Sequence, residues 1–196
     1  MSLRTCSRPI VYKLVFMGDS GVGKSSLATR MVSDTFLVCT EATIGASYFS
    51  KSIVKDGQQY NFNIWDTAGQ EKYNCLVPLY YRNSDAAILV YDITNRLSYE
   101  NAKKRIPELR DKSSVSTVML IGNKTDLSER LIETDEASGF AAEQNILYLE
   151  TSAKTSLNVQ GILETMLAEL PLPVAQPNAL PLIPSTGTYL GSCCNS

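Results

Sequence analysis

The chain has 196 residues, 44% hydrophobic and 19% charged, with a formal net charge of −2. That is enough chain for one domain with a full core, with no overall positive charge to draw it to nucleic acid. It has no histidine, which excludes Ser–His–Asp triads, Cys–His nucleophiles and histidine-based metal sites.

Residues 1–9 read as an N-terminal extension. No apolar run is long enough to cross a bilayer, and the first residues lack the layout of a signal peptide. Domain organisation follows from composition: the folded domain spans 10–170, and 171–196 form an uncharged, Pro-rich tail. "IVYKLVFM" from Ile10 reads as a strand. Directly after it comes "GDSGVGKSS", Gly18 to Ser26, which opens a helix. Gly18, Gly23, Lys24 and Ser25 satisfy G-x-x-x-x-G-K-[ST] in the strand-to-helix context that makes the motif meaningful. Glycines let backbone N–H groups converge on an oxyanion, and the helix N-terminus favours negative charge. Lys24 adds a full charge for the outer phosphates, and Ser25 a neutral oxygen for Mg²⁺. The loop therefore holds nucleotide phosphates.

"EATIGASYF" follows, with the Thr43 hydroxyl in reach of Mg²⁺ from a loop. Next, "KSIVKDGQQ" contains Asp56-Gly57, a hairpin turn. It leads into the alternating strand "YNFNIWD", with Tyr60, Phe62 and Ile64 on one face. At its end, "WDTAGQE" places Asp66 to orient Mg²⁺ through water and the Gly69 N–H to meet a terminal phosphate. Gln70, both donor and acceptor, is suited to orienting an attacking water.

"AAILVYDI" from Ala86, "VMLIGN" from Val118 and "ILYLETSA" from Ile146 read, like the first strand, as nearly continuous apolar strands buried on both faces. The helix near 98–111 contains Pro107, which predicts a kink or an early end. Between the third and fourth of these runs stands "GNKTDL". The acceptor-only carboxylate of Asp126 can receive the ring N–H and the exocyclic amine of guanine together, an edge adenine lacks. Asn123 and Lys124 pack around the base and the phosphate loop. A last helical stretch from Leu157 carries Ile162, Leu163, Met166, Leu167 and Leu170 on one stripe. Alternating strands and helices argue an α/β fold, a parallel sheet covered on both faces.

The tail, 171–196, has no Asp, Glu, Lys or Arg and ends "GSCCNS". Of five cysteines none sits in a C-x-x-C pair, and three (Cys6, Cys39, Cys75) are scattered, which points to a reducing compartment. There, Cys193 and Cys194 read as lipid acceptors. The C-a-a-X pattern fits poorly, and Ser2 after Met1 closes the myristoylation route.

These motifs in this order resemble the Ras superfamily of small GTPases. "TIGASYF", "WDTAGQEKY", "LYYRNSDAAILVYDIT", "GNKTDL", "ETSAK" and the terminal "CCNS" are similar to a Rab, continuously over residues 10 to 170. The resemblance implies a three-layer P-loop NTPase fold, the small G domain: a six-stranded, mostly parallel sheet with one antiparallel strand and about five helices. It implies GTP or GDP as bound nucleotide and Mg²⁺ as cofactor. Gln70 and Lys24 would be catalytic. Asp19, Ser20, Gly21, Val22, Gly23, Lys24, Ser25 and Ser26 would surround the phosphates. Phe36 would contact the guanine, and Ser152, Ala153 and Lys154 would close over it. Tyr48, Trp65 and Tyr80 match the aromatic triad that meets effectors, flanked by Ile44 and Gly45. Tyr48 stands where the family usually has Phe. "TIGA" and a terminus near C-C-S-N resemble the early-endosomal Rab subgroup, whose phosphate loop usually has Ala where Gly21 stands.

The implied function is a molecular switch in vesicle and endosomal membrane traffic, a GTP hydrolase slow without an activating protein. Its implied partners are an exchange factor, an activating protein, a GDP-dissociation inhibitor, a prenylation escort, effectors, and a membrane reached through two geranylgeranyl chains. It would sit on the cytoplasmic face of intracellular membranes with a cytosolic pool. Two other readings are a nucleotide-locked scaffold with little hydrolysis and an adenine-nucleotide kinase. "NKTD" and the lack of an Arg-rich lid argue against the kinase.

Overall fold

The computed structural model of the chain describes residues 8–38, 42–69, 80–112 and 115–172. Gln70, Cys193 and Cys194 lie outside these residues, as do 1–7 of the N-terminal extension and 173–196 of the tail. Six strands form: β1 (Ile10–Met17), β2 (Ala46–Lys55), β3 (Gln58–Thr67), β4 (Ala86–Asp92), β5 (Thr117–Asn123) and β6 (Leu147–Glu150). The described helices are α1 (Lys24–Ser33), α2 (Arg96–Lys112), α3 (Thr134–Glu143) and α4 (Gly161–Glu169), four of the expected five.

The strand order is β2-β3-β1-β4-β5-β6. Only the β2–β3 pair is antiparallel. Its turn is the expected Asp56-Gly57, with φ of 53° and 78°. Positive φ at both central residues matches the twist of the flanking strands. Because β1 pairs with β3 on one side and β4 on the other, the chain departs in opposite directions beyond its carboxyl end. That divergence opens a crevice where ligands of such sheets bind, and the Gly18 loop starts there.

Alternation along β1 feeds two cores. Tyr12, Leu14 and Phe16 pack with Leu27 and Met31 of α1 and Ile162, Leu163 and Met166 of α4. Val15 and Met17 pack on the other face with Tyr99, Ile106 and Leu109 of α2 and Ala137 of α3. Helices on both faces make three layers. β4 is buried at every residue, as a doubly covered strand should be.

Three expectations need correction. β6 is half-buried throughout, because it is the sheet's edge and has a strand neighbour on one side only. Of the kink or early end expected at Pro107, the early end does not occur; the helix runs five residues further, to Lys112. Ile106 and Leu109 are buried on either side of Pro107, which is itself exposed. Proline removes one intrahelical hydrogen bond, and two apolar anchors hold the helix across the gap. The last helix also starts later than its apolar stripe suggests, at Gly161, after a turn over 157–160.

Candidate functional site

A cavity of about 400 Å³ opens at the carboxyl end of β1. One end is built by the phosphate loop. Gly23 precedes α1 with φ 97°, and a Cβ there would run into the Asn123 amide, so only glycine fits. No side chain caps α1 and no acidic residue stands in its first turn. Its orphan N–H groups are left for an anion at an end where Ser25 and Ser26 line the cavity.

Lys24 is 5% exposed and lines the same end. Its ammonium donates to the carbonyls of Gly18 at 2.9 Å and Asp19 at 2.7 Å. Burial pushes it down to about 8, against the pull of Asp66 and Asp19. Beside it three oxygens converge. Ser25 Oγ donates to Asp66 Oδ2 at 2.5 Å and sits 2.8 Å from Thr43 Oγ1. Thr43 Oγ1 reaches the same carboxylate at 3.5 Å. Burial pushes the Asp66 carboxyl above its usual range, although Ser25, Lys24 and Thr43 oppose that. Asp66 Oδ1 is buried without a hydrogen-bond partner. Neutral and anionic oxygens with one buried oxygen unsatisfied suit a hard divalent cation such as Mg²⁺. Gly69 packs so tightly on Asp19 and Ser20 that a Cβ would collide with their backbone, which brings the end of the β3 segment onto the phosphate loop.

The other end gathers β5 and β6 loop residues. Asn123 is a clasp: its Nδ2 donates to the Val22 carbonyl at 2.9 Å, and its Oδ1 accepts from Thr151 Oγ1 and the Ala153 N–H, both at 3.2 Å. Lys124, at φ 70°, pairs with Asp92 Oδ2 at 2.6 Å. Burial alone would raise the Asp92 carboxyl, but hydrogen bonds from Lys124 and Thr94 hold it below its ordinary range. Asp126 accepts from Ser152 Oγ at 2.6 Å and faces the Lys154 ammonium at 3.6 Å.

Most of the sequence-assigned residues line this single cavity: Ser20, Gly21, Gly23 to Ser26, Phe36, Thr43, Gly69, Asn123, Lys124, Asp126, Ala153 and Lys154. Four stand behind its wall. Val22 is in the core, with its carbonyl held by Asn123. Asp19 accepts from Asn101 Nδ2 at 2.8 Å. Asp66 and Ser152 act on lining groups through the bonds given above. Sequence reasoning missed Leu37, Val38, Ala42 and Leu127, which also line the cavity, and Asp92, which anchors Lys124. Leu37 and Val38 follow Phe36 directly, so the neighbourhood was readable. Nothing local marks Asp92 as a partner of Lys124.

The expected effector residues also come together. Trp65 lies 5.5 Å from Tyr48, edge-on, and 5.9 Å from Tyr80. Tyr48 is half exposed, Ile44 strongly so, and the Tyr48 hydroxyl donates to Asn63 Oδ1 at 2.8 Å. The Gly45 carbonyl accepts from the Ala68 N–H at 2.8 Å, tying this edge to the segment before Gly69.

Residues 13–171 match the Ras family. The chain is 45% identical over 188 residues to the Ras-related protein RABF2a of Arabidopsis thaliana, covering 93% of this chain and 94% of that one. It is 44% identical over 188 residues to the Ras-related protein Rab5 of Nicotiana tabacum, with the same shares covered. With the Ras-related protein Rab5A of Oryza sativa subsp. japonica it shares 46% over 160 residues, 81% of this chain and 79% of that one. A phosphate loop on a switch-point sheet, an Asp-bearing loop across the cavity and these relatives agree: the chain belongs to the Ras family, among the Rab proteins, and is a small GTPase of vesicle traffic, a hydrolase that binds GTP and GDP.

Proposed function

We propose that the cavity holds Mg²⁺–GTP with its phosphates at Lys24 and its guanine at Asp126, and that the protein acts as a switch on endosomal membranes. The observation that carries this is the convergence of Ser25, Thr43 and Asp66, with Asp66 Oδ1 unpartnered, beside the buried Lys24 ammonium. Ser25 and Thr43 would hold Mg²⁺ through their hydroxyls and Asp66 through water. The ion would neutralise charge on the phosphate oxygens. Lys24 and the loop N–H groups of residues 20–26 take up the rest of that charge, and the Gly69 N–H meets the terminal phosphate. Gln70 orients the water. Its oxygen bonds to the terminal phosphorus as the bond to the bridging oxygen breaks, releasing GDP and phosphate. Phe36, Asn123, Lys124 and the Ser152–Lys154 loop enclose the base.

A GTP-ordered arrangement of the Thr43 and Gln70 loops would present Ile44, Gly45, Tyr48, Trp65 and Tyr80 to effectors. Regulators would be an exchange factor and an activating protein. A prenylation escort would deliver the chain to its lipid transferase, and a GDP-dissociation inhibitor would maintain the cytosolic pool. Among the described residues no helix is long and apolar enough to cross a membrane. Cys193 and Cys194 would carry two prenyl chains. One lipid holds marginally and needs a second or a basic patch, and this tail has no basic residue. Cys193→Ser or Cys194→Ser alone is therefore expected to release most of the protein from membranes, read by fractionation with mass spectrometry of the terminal peptide.

The test of the whole reading is single-turnover hydrolysis. Wild type should convert bound GTP slowly, and much faster with an activating protein. Gln70→Leu should bind GTP normally yet lose most of a stimulation on the order of 10⁵-fold. A Gln70→Leu protein hydrolysing at the wild-type stimulated rate would refute the role. A wild type that binds GTP but does not turn it over would favour the nucleotide-locked scaffold.

A further inference from the structure

Arg30 stands in the last turn of α1, where a cation is favoured by the helix dipole. Its side chain is only 15% exposed, which is rare for arginine without partners. Its Nε donates to the Ala153 carbonyl at 2.9 Å, and its Nη2 to the Lys154 carbonyl at 3.1 Å. Its Nη1 turns the other way, to the Asp34 carbonyl at 2.7 Å, with Asp34 Oδ1 at 3.4 Å.

Two of these partners line the cavity, and the third, Asp34, stands two residues before Phe36, which lines it elsewhere. Ala153 and Lys154 line it on the base side, and the Ala153 N–H is already held by Asn123. Arg30 therefore holds two carbonyls of the same short loop from behind. Asp34 ends α1 in the left-handed conformation, φ 53°, and turns the chain toward Phe36, Leu37 and Val38, which line the cavity elsewhere. A generic helix cap would not need this arginine, because the Asp34 N–H already bonds back to the Arg30 carbonyl.

We propose that Arg30 is a positioning residue: its guanidinium ties the Ala153–Lys154 loop to the start of the Phe36 segment and so sets how long a guanine nucleotide stays bound. The proposal rests on the guanine-nucleotide reading of the cavity. The task suits arginine, whose planar fork presents donors in fixed, divergent directions. Lysine offers one compact charge and cannot reach all three carbonyls.

The experiment uses the full chain loaded with fluorescent GDP and chased with excess GDP, with Mg²⁺ present and again with a chelator. Thermal unfolding is followed in parallel. Arg30→Gln should release GDP about tenfold faster, the loss expected for two or three charge-assisted bonds shared with water. Arg30→Lys should fall between Gln and wild type. Asp34→Asn keeps the main-chain acceptor and tolerates positive φ, so its release rate should stay near wild type. The fold-change should persist in chelator, because Arg30 grips the base side and not the metal side. Arg30→Gln or Arg30→Lys releasing GDP at the wild-type rate overturns the proposal, as does an acceleration that vanishes on chelation. If Arg30→Gln is recovered unfolded, Arg30→Lys alone carries the test. A wild type that does not retain GDP at all sinks the nucleotide reading beneath the proposal, and the proposal with it.

Discussion

The two ends of the cavity are built on opposite electrostatic plans. At the phosphate end, one continuous stretch from Gly18 to Ser26 buries an ammonium whose acceptors are neutral backbone carbonyls, next to a carboxylate with one oxygen unpartnered. At the base end, polar groups from distant segments satisfy one another: Lys124 with Asp92, Asp126 with Ser152 and Lys154, Asn123 with Val22, Thr151 and Ala153. Burying an unpaired charge is costly, so the phosphate end lowers the stability of the empty protein and gains most when ligand arrives. The base end is pre-organised. Its ligand must exchange good internal partners for its own, so only a matching donor pattern succeeds. On the proposed reading, the first end would supply affinity and the second selectivity.

The contrast is broken most severely at Asp126. Asp126→Asn puts a donor where guanine presents donors. It should erase most of the preference for GTP over ATP, on the order of 10⁴-fold for a site built on such hydrogen bonds, while phosphate binding persists. Nucleotide competition measures it, and an unchanged preference would show that the base lies elsewhere.

At the other end, Lys24→Met should separate affinity from stability. The Lys24 ammonium, held at about 8 when folded, returns to about 10.4 when unfolded. A group whose folded value is lowered makes the unfolded state bind more protons between those values, so stability rises with pH across that window. Nucleotide-free wild type should therefore gain up to about 3 kcal/mol relative to Lys24→Met as pH rises from about 8 to about 10.4. Below that window the variant is spared the burial cost, yet it should bind GTP far more weakly. Urea unfolding of both proteins at several pH values decides it. Parallel pH profiles would mean that Lys24 is not the strained group.

The smallest effect concerns Asp66. Its carboxyl is raised by burial, so protons should compete with Mg²⁺ at a pH where ordinary carboxylates stay ionised. Mg²⁺ affinity should begin to fall at a higher pH than it would with an ordinary carboxylate, and Asp66→Asn should bind weakly and without that slope. A flat wild-type profile would count against the carboxylate as a metal group.

What the chain determines locally was readable without coordinates. Apolar alternation along β3 and the Asp56-Gly57 pair define a hairpin because period and turn chemistry are properties of adjacent residues. The Gly18–Ser25 spacing defines a phosphate loop for the same reason, as its donors are successive backbone groups. The Asp126 loop could be marked as a candidate base reader because its acceptor-only carboxylate is a property of one side chain, and the fold places it at the cavity. Tertiary structure alone decided the rest. Asn123 closes on Val22 across 101 residues and Arg30 on Ala153 across 123, and no periodicity encodes such meetings. Val22 turning into the core, Lys124 finding Asp92 and β6 lying at a half-buried edge follow from sheet order. Pro107 is tolerated because Ile106 and Leu109 are anchored in a core assembled from distant strands. Local pattern specifies which groups can act; burial and long-range contact determine which are strained, which are satisfied, and which meet.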